Sequence, residues 1–505
     1  IYRHLPTYEK IIRNLVSFWK KNYMMFLKDL KRFKMERLYD KLKAYSESDF
    51  YAFHMPGHKR NKALLGIELP YDLDITEIDG FDDLHHADGI LKEEQERAAR
   101  VFGAEESHFL VNGSTAGILS AVMGCTHRGD KILVARHCHK SIYHAIYMNG
   151  LVPRYVYPEF DISMHMNGEI SKEDVAKALA AEPDIKAVVI VSPNYDGVVS
   201  DVKGIAEVAH SYRIPLIVDE AHGPHFGFHP AFPGRANDLG ADVVINSLHK
   251  TLPSLTQTAI LHINGKLANR RRIKKYLDML QSSSPSYIFM ASLDACVDFL
   301  DGKCEEAFEL YVERLQKFRE ELKPLQHLQI LRTEHYDISK VVISTANANI
   351  TSPELADRLR KEYHLEMEMT GGTYVLAMTT VADTQEGLDR LKSALLEIDD
   401  QLEAKTAVSG SIEISGELPR LEQYFTPQEA AEREEDGEAE EIPWKESEGH
   451  ISLEYAYLYP PGSPVIVPGE RISREAVELL CYYETQNLQI EGIQTEGKIK
   501  VWKHE

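Results

Sequence analysis

Short apolar runs alternate with helix-like stretches through the middle of the chain. Six runs are nearly continuous in valine, isoleucine, leucine or aromatic residues, namely KILVA (131–135), PRYVYP (153–158), KAVVIV (186–191), PLIVDE (215–220), DVVINS (242–247) and TAILHI (258–263). Such runs are typical of strands that are buried on both faces. Between them, 171–182 and 201–212 have helical periodicity, and Ser171 can cap the first of these helices. The pattern predicts a mostly parallel sheet covered by helices.

The pattern changes character after about residue 300. A long charged helix is predicted over about 304–323, and it is followed by the run VVISTA, a second helix and the run YVLAMTT. This order predicts a smaller α+β unit. We therefore expect four parts, which are an N-terminal extension (1–35), a large α/β domain (36–300), a small α+β domain (301–410) and a C-terminal domain (411–505).

An acidic stretch, 429–441, lies within the C-terminal domain. Thr426 is a suitable N-cap, Pro427 fits the first helical position and Glu429 fits the third. We expect this stretch to be a solvated helix or a mobile loop that acts as a linker. Beyond it, LEYAYLYPPGSPVIVPGE (453–470) is apolar again and must pack on another part of the molecule.

Charge limits the possible partners. The 505-residue chain carries a net charge of −22, which argues against nucleic acid or an anionic membrane as the main partner and is compatible with a cationic substrate. The first 35 residues are an exception, because nine Lys/Arg alternate there with aromatic and apolar residues. Such a basic amphipathic segment can lie on a membrane, but a docking helix or an extension upstream of a start at Met35 is the simpler interpretation.

Cysteine usage and hydropathy indicate a cytoplasmic protein. The five cysteines are scattered and include no CxxC pair, so we expect neither a disulfide framework nor a metal site. No stretch approaches the roughly 18 uninterrupted apolar residues that a membrane span requires.

The clearest chemical signal is a pair of motifs that follow two successive apolar runs. DEAHG (219–223) follows PLIV, and SLHKT (247–251) follows DVVIN. In an open parallel sheet, ligands bind beyond the carboxyl ends of the strands. Asp219 and Lys250 at neighbouring strand ends match the needs of pyridoxal phosphate, where the lysine forms a Schiff base and the carboxylate keeps the pyridine nitrogen protonated.

Two further motifs fit the same cofactor. FLVNGSTAG (109–117) leads from an apolar strand into a helix of small residues, so Ser114 and Thr115 would meet an anion at the helix N-terminus. Ser247 can add a hydroxyl to the same phosphate. His139, in RHCHKS after the run KILVA, would lie on the ring face opposite Lys250.

In their order along the chain, NGSTAG, CHKS, DEAHG and SLHK resemble the ornithine/lysine/arginine decarboxylase family of fold-type I pyridoxal-phosphate enzymes. FHMPGHKR (53–60), FDDLHHADGIL (81–91), QSSSPSY (281–287) and YPPGSPVIVPGE (459–470) are similar to segments of that family, and the likeness covers about 36–505. The resemblance implies an aspartate aminotransferase-like large domain. It also implies decarboxylation of arginine, lysine or ornithine to an amine of polyamine metabolism.

The resemblance assigns roles to individual residues. It implies that Ser114, Thr115 and Ser247 bind the phosphate, that His139 stacks on the ring, that Asp219 pairs with the pyridine nitrogen and that Lys250 binds the cofactor covalently. His249 would lie beside the phosphate and the substrate, and His222 would approach the ring hydroxyl or the substrate. Ser282 is expected to reach the phosphate of a neighbouring subunit, as in a homodimer with shared active sites.

Several alternatives remain open at this point. DEAHG also occurs in α-oxoamine synthases, so such a synthase or an aminotransferase is the rival enzyme class, and a catalytically inactive homologue is a third possibility. The longer bacterial members of the family begin with a receiver-like domain that this chain lacks. The choice among the three basic amino acids stays open, and Asp82, Asp83 and Glu454 are candidates for binding the distal group of the substrate.

Overall fold

The computed structural model describes residues 37–161, 166–331, 335–405, 418–458, 463–485, 488 and 490–503. The basic N-terminal segment at 1–35 therefore lies outside the described residues. Within them, the chain forms a large α/β domain, a smaller α+β domain and a C-terminal domain.

A seven-stranded sheet forms the centre of the large domain, in the order β1-β9-β8-β7-β6-β2-β3. In chain order, the large domain contains β1 (Glu106–Leu110), β2 (Lys131–Ala135), β3 (Val152–Val156), the separate two-stranded ribbon of β4 (Phe160–Asp161) and β5 (Met166–Asn167), then β6 (Val188–Val191), β7 (Leu216–Asp219), β8 (Val243–Asn246) and β9 (Ala259–Ile263). All six predicted strands are present. Only β9 runs against its neighbours, so the prediction of a mostly parallel sheet is confirmed.

Helices cover this sheet and bury its valine and isoleucine side chains. They are Leu38–Ser46, Ile90–Val101, Gly113–Cys125, Lys140–Met148, Lys172–Ala181, Val202–Ser211, Leu248–Thr251, Arg270–Leu280 and Tyr287–Leu300, with a short 3-10 turn at Leu84–His86. Ser171 caps its helix as predicted, because its side chain accepts a hydrogen bond from the Asp174 N–H at 3.4 Å. The strands share one hydrophobic core with the helices that flank them, and a second core lies where Leu38–Ser46, Ile90–Val101 and Tyr287–Leu300 pack together.

The small domain is a four-stranded antiparallel sheet with helices packed against it. Its helices are Glu305–Glu321, Ser352–Tyr363 and Gln385–Asp399. Its strands, in the order β10-β11-β13-β12, are β10 (Gln329–Ile330), β11 (Lys340–Ser344), β12 (Met369–Thr370) and β13 (Tyr374–Met378). The predicted long helix and both predicted apolar strands are present.

The C-terminal domain consists of short strands around two helices, Pro427–Glu435 and Arg474–Thr485. Its strands are β14 (Glu422–Gln423), β15 (Ala439–Pro443), β16 (Ala456–Leu458), β17 (Pro464–Ile466), β18 (Glu470–Arg471), β19 (Ile490–Glu491) and β20 (Lys498–Trp502), and a 3-10 turn lies at Trp444–Glu446. A buried Arg136–Glu470 ion pair connects this domain to the large domain, with Nη1 and Oε1 2.6 Å apart.

Of the two expectations for the acidic stretch at 429–441, a solvated helix or a mobile loop, the structure shows a helix over Pro427–Glu435. The Thr426 side chain and Glu429 form a reciprocal capping box at the start of the helix, as their spacing predicted. The following residues form β15, which pairs antiparallel with β20. Backbone hydrogen bonds to the end of the chain therefore hold this segment in the domain.

Candidate active site

Lys250 and Asp219 lie together at the carboxyl edge of the large sheet. Asp219 ends β7, which pairs in parallel with β8, and the turn carrying Lys250 begins directly after β8. Asp219 is buried, and the one hydrogen bond described for its carboxylate comes from the Ala221 N–H at 3.1 Å. Burial lowers the pKa of Lys250, and the charge of Asp219 acts in the opposite direction. The same burial raises the pKa of Asp219, which Lys250 partly offsets.

His222 is the immediate neighbour of the lysine amine. The Lys250 Nζ lies 2.9 Å from the His222 Nε2, and the His222 ring packs on Tyr195 with centroids 4.5 Å apart. The ring is buried, so desolvation, assisted by the charge of Lys250, lowers its pKa well below the ordinary value. Because its protonated form is disfavoured, the His222 Nε2 is suited to accept a hydrogen bond from the amine.

Burial also lowers the pKa of the two other histidines of the motifs. His139 caps the helix Lys140–Met148, and its Nδ1 accepts from the Ser141 N–H at 3.2 Å. Burial lowers the pKa of His139 to about 4, and the charge of Lys250 adds to this effect. His249 places Nδ1 2.9 Å from the Thr258 carbonyl oxygen, and burial lowers its pKa. With Nδ1 donating to that carbonyl, Nε2 is the ring nitrogen that can exchange a proton.

The predicted phosphate site has the local structure that an anion requires. Ser114 and Thr115 lie in the first turn of the helix Gly113–Cys125, where backbone N–H groups lack helical partners. Gly113 has φ +72°, a conformation that glycine adopts without steric cost, and its N–H donates to the Gln257 carbonyl at 3.0 Å.

Two buried polar atoms near Lys250 indicate that a ligand completes this site. Within the described part of the chain, the Ser247 Oγ and the His222 Nδ1 are buried and have no hydrogen-bond partner. Buried hydroxyl and ring nitrogen atoms are normally hydrogen-bonded, so both atoms are suited to meet a polar ligand. Together with the buried Asp219 carboxylate and the amine of Lys250, these atoms fit a phosphorylated pyridine aldehyde.

The Ser282 loop lies beside the phosphate turn of its own chain. The Ser282 N–H donates to Asn112 Oδ1 at 3.1 Å, and its carbonyl oxygen lies 2.8 Å from the His85 Nε2. Its hydroxyl faces the Ser284 carbonyl at 3.2 Å and is exposed. The structure therefore brings Ser282 near the predicted phosphate site, and its expected role toward a second subunit stays a prediction.

The structure corrects the expectation that Asp82, Asp83 or Glu454 binds the substrate. Asp82 accepts hydrogen bonds from four backbone N–H groups, those of Asp83, Asp88, Gly89 and Leu91. Asp83 accepts from the His85 N–H at 2.9 Å and lies 3.0 Å from His86 Nδ1. Glu454 accepts from the N–H groups of Gln494 and Lys500. These carboxylates organise turns and strands, and their oxygens are occupied by local donors.

A different carboxylate, which the sequence reasoning missed, acts on the lysine. Glu368 precedes β12 of the small domain and accepts a hydrogen bond from the Tyr195 hydroxyl. Its charge raises the pKa of Lys250, so it lies within electrostatic range of the amine. Glu368 is exposed, and Tyr195 links it to the ring of His222. No local pattern in the sequence distinguishes Glu368 from the neighbouring Glu366.

Comparisons with known proteins agree with these motifs. Residues 36–392 match the family described as "Orn/Lys/Arg decarboxylase, major domain", and residues 416–497 match its C-terminal domain. An arginine decarboxylase of Bacillus subtilis is 34% identical over 471 residues, which cover 90% of this chain and 95% of that protein. A lysine decarboxylase of Pseudomonas aeruginosa is 25% identical over 86% of this chain and 73% of that protein.

Solved structures confirm the fold. The crystal structure of a lysine decarboxylase from Francisella novicida matches with a TM-score of 0.79 and 20% identity, covering 96% of this chain and 84% of that chain. Over the ranges described above, no helix is both long enough and apolar enough to span a bilayer. The family expected from the sequence motifs is thus confirmed, and the chain belongs to the Orn/Lys/Arg decarboxylase family.

Proposed function

We propose that this protein is a pyridoxal-phosphate-dependent decarboxylase of a basic amino acid, with arginine, lysine and ornithine as the candidate substrates. The observation that carries this proposal is the placement of Lys250, His222 and Asp219 at one edge of the sheet, with the amine 2.9 Å from the His222 ring nitrogen. Membership of the family and the similarity to curated arginine and lysine decarboxylases support the same reaction.

The residues of the site have separate tasks in binding the cofactor. Ser114, Thr115 and Ser247 would hold its phosphate, and the unpartnered hydroxyl of Ser247 supports this role. Asp219 would pair with the pyridine nitrogen and His139 would lie against the ring, while Lys250 would hold the aldehyde carbon covalently. When bound, pyridoxal phosphate supplies an electron sink that accepts the pair released as CO2 leaves.

Proton transfer is assigned to the groups around the amine. After CO2 has left, a proton must be delivered to the α-carbon, and Lys250 and His249 are the candidate donors. The His222 Nε2 can accept a hydrogen bond from Lys250 and orient its amine, because the two nitrogens lie 2.9 Å apart. In the described part of the chain, the charges that shift the pKa of Lys250 belong to Asp219, Lys340 and Glu368, and none is an arginine. A substrate carboxylate that no arginine clamps loses CO2 more readily, because such a pairing would stabilise the ground state.

We assign recognition of the cationic end of the substrate to Glu368. The hydrogen bond from Tyr195 orients this carboxylate, and its charge acts on the pocket that contains Lys250. Glu368→Gln should raise the KM for a basic amino acid about tenfold or more with a smaller change in kcat, because a hydrogen bond to a charged group contributes about 1.5–3 kcal/mol. Glu366→Gln, on the same exposed approach to β12, is the matched control and should leave the KM unchanged.

We also propose a homodimer that shares its active sites. Eight large apolar side chains between Phe50 and Leu69 are exposed in the single chain, from 47% at Leu69 to 89% at Phe53. An apolar surface of this extent is suited to bury itself against a second copy. The free cysteines, none of which forms a disulfide in the described residues, support a reducing, cytoplasmic compartment.

Mixing two inactive variants tests the shared site. Lys250→Ala removes the amine, and Ser282→Asp places an anion where the loop would approach a phosphate. If each Ser282 serves the partner's site, a mixed dimer contains one site with both native residues and recovers activity. Sedimentation should show a dimer, and a monomeric active enzyme or mixtures without recovered activity would contradict the arrangement.

Two measurements on the wild-type protein test the reaction. Borohydride treatment of the yellow protein should remove its visible absorbance and leave a pyridoxyl group on Lys250, which peptide mass spectrometry detects. CO2 release should then be measured with arginine, lysine and ornithine. A product that requires coenzyme A, or a keto acid formed without CO2, would identify an α-oxoamine synthase or an aminotransferase instead.

A further inference from the structure

An ion pair of the small domain lies fully buried behind the active-site lysine. Asp337 and Lys340 are three residues apart at the start of β11, their side chains have 0% exposure, and the Lys340 Nζ lies 3.0 Å from the Asp337 Oδ2. Burying two charges costs free energy even when they are paired, and apolar replacements of the same volume are often as stable. The pair therefore has little value as a stabilising element by itself, and its contacts to the large domain indicate its role.

Asp337 contacts the large domain through His225. The Asp337 Oδ1 lies 3.1 Å from the His225 Nε2, and the other ring nitrogen of His225 lies 3.0 Å from the Thr251 hydroxyl. Thr251 directly follows Lys250 in the same short helix. With His225 donating to the carboxylate, its Nδ1 accepts from Thr251, so the chain of hydrogen bonds has one consistent direction.

Lys340 contacts the other side of the same site. Its Nζ donates to the main-chain carbonyl of His222 at 3.4 Å, while the ring of His222 meets the Lys250 amine. Asp337 is fixed within its own turn, because it also accepts from the Ser339 hydroxyl at 2.7 Å and the Ser339 N–H at 2.9 Å. Although burial alone would raise the pKa of Asp337, the charge of Lys340 and the hydrogen bonds from His225 and Ser339 lower it far below the ordinary value.

We propose that the buried Asp337–Lys340 pair is a positioning device through which the small domain fixes both His222 and the helix of Lys250. The two contacts enclose the lysine, one through the His222 carbonyl and one through His225 and Thr251. Asp337 and Lys340 are positioning residues, since they act through His222, His225 and Thr251. The inference rests on the proposed decarboxylase function. The pair also brings a second cation, Lys340, near the site, and its charge opposes protonation of Lys250.

The pH behaviour of Lys250 gives a readout that a purely structural role would not change. Three charged groups act on Lys250, namely Asp219 from β7 and Lys340 and Glu368 from the small domain. In turn, the charge of Lys250 adds to the effect of burial in lowering the pKa of three histidines, which are His222 from the loop after β7, His249 from its own helix and His139 from the start of the helix Lys140–Met148. Lys340 contributes a positive charge, which disfavours the protonated form of the Lys250 nitrogen. Removing that charge should raise the pH at which this nitrogen loses its proton.

The experiment compares four variants of the full-length enzyme with bound cofactor. In Lys340→Met, the pH midpoint of the cofactor's visible absorbance should rise by about one unit, as expected for loss of a nearby buried charge. The kcat should fall at least about tenfold, with KM changed less. Lys340→Arg keeps the charge and should retain the wild-type midpoint. The double variant Asp337→Asn/Lys340→Met leaves no unpaired buried charge, and it should show the raised midpoint even if Lys340→Met does not fold.

Arg97→Met is the matched control for the loss of a buried ion pair. Arg97 is paired with Glu94 and Asp294 at a helix junction of the large domain, and none of its described contacts reaches the active site. It should lower stability and leave the midpoint unchanged. Unchanged midpoints in both Lys340→Met and the double variant, or an equal shift in Arg97→Met, would overturn the proposal. A wild-type protein that binds no cofactor at Lys250 would instead refute the proposed function, and the inference with it.

Discussion

Two buried ion pairs connect the outer domains to the active-site face of the large domain, and they are built differently. Arg136 of the large domain and Glu470 of the C-terminal domain form a forked pair, with distances of 2.6 and 2.8 Å. This pair exists only while the two domains are in contact. Asp337 and Lys340 belong to one turn of the small domain, and their side chains reach the large domain through hydrogen bonds to His225 and the His222 carbonyl.

Because the two pairs are built differently, we expect one to affect mainly the stability of the protein and the other mainly its activity. Removing one member of the Arg136–Glu470 pair leaves a buried charge at a domain interface, so the free energy of unfolding should respond most strongly there. The Asp337–Lys340 pair is assembled within its own domain, and it presents fixed donors and acceptors to the residues around Lys250. We therefore expect the first pair to govern attachment of a domain and the second to govern the geometry of the site.

Glu470→Ala should have the largest effect on stability. It leaves the buried Arg136 guanidinium without its carboxylate, which costs about 3–5 kcal/mol in the free energy of unfolding. Glu422→Ala is the control, because Glu422 pairs with the adjacent Arg471 at 3.2 Å but both side chains are exposed. An exposed pair contributes about 0–1 kcal/mol. Urea denaturation followed by fluorescence measures both changes.

Replacing both residues of the pair tests whether the unpaired charge or the lost contact causes the destabilisation expected of Glu470→Ala. In Arg136→Met/Glu470→Leu no charge is left unpaired, so stability should return to within about 2 kcal/mol of the wild type. If Glu470→Ala were no more destabilising than Glu422→Ala, the pair would not hold the C-terminal domain.

As the pH falls, the contact between the C-terminal domain and the large domain should lose stability before the Asp337–Lys340 turn of the small domain does. His137, next to Arg136, is buried, and burial lowers its pKa to about 4. Because the folded pKa lies below the ordinary value of about 6.5, the unfolded chain binds more protons between these pH values. The contribution of His137 is thus complete above about pH 6.5 and is lost as the pH falls toward 4. The loss by pH 5 should be about 2 kcal/mol.

The comparison of two histidine variants checks this pH dependence. His137→Gln should reduce the loss of stability between pH 7 and pH 5, measured as the shift of the urea midpoint. His450→Gln, whose ring contacts only the nearby Glu448 carbonyl among the described hydrogen bonds, should keep the wild-type dependence. Asp337 stays ionised throughout this range because its pKa is held far below the ordinary value. Equal pH dependence in the two variants would contradict the assignment to His137.

The sequence predicted those parts of the molecule that local patterns determine. Continuous apolar runs locate the strands of the large sheet, and motifs placed directly after two adjacent strands bring Asp219 and Lys250 together. The turn at Ser114 follows from its strand-to-helix context. Each of these predictions depends on residues that are close along the chain or at the ends of neighbouring strands.

The remaining features depend on contacts between distant segments. Lys340 contacts the carbonyl of His222, which lies 118 positions away in the sequence, and Tyr195 contacts Glu368, which lies 173 positions away. The segment around Asp337 looks like an ordinary turn before a strand, so nothing local indicates burial. Asp82 was misinterpreted for a related reason. Its backbone has φ +66°, and the surrounding N–H groups point at its carboxylate, a geometry that residue identity alone does not reveal.

The smallest effect is expected from removing one neutral hydrogen bond on each side of the active site. Ser463 donates to the His137 carbonyl at 2.8 Å on the C-terminal side, and Thr251 lies 3.0 Å from His225 Nδ1 on the small-domain side. Ser463→Ala and Thr251→Val should each cost about 1 kcal/mol in the free energy of unfolding. Only Thr251→Val should lower kcat, by several fold, because it releases the helix that carries Lys250 from His225. On the same two preparations, urea denaturation measures the free energy of unfolding and steady-state CO2 release measures kcat. An equal loss of kcat in Ser463→Ala would show that both contacts affect the chemistry to the same extent.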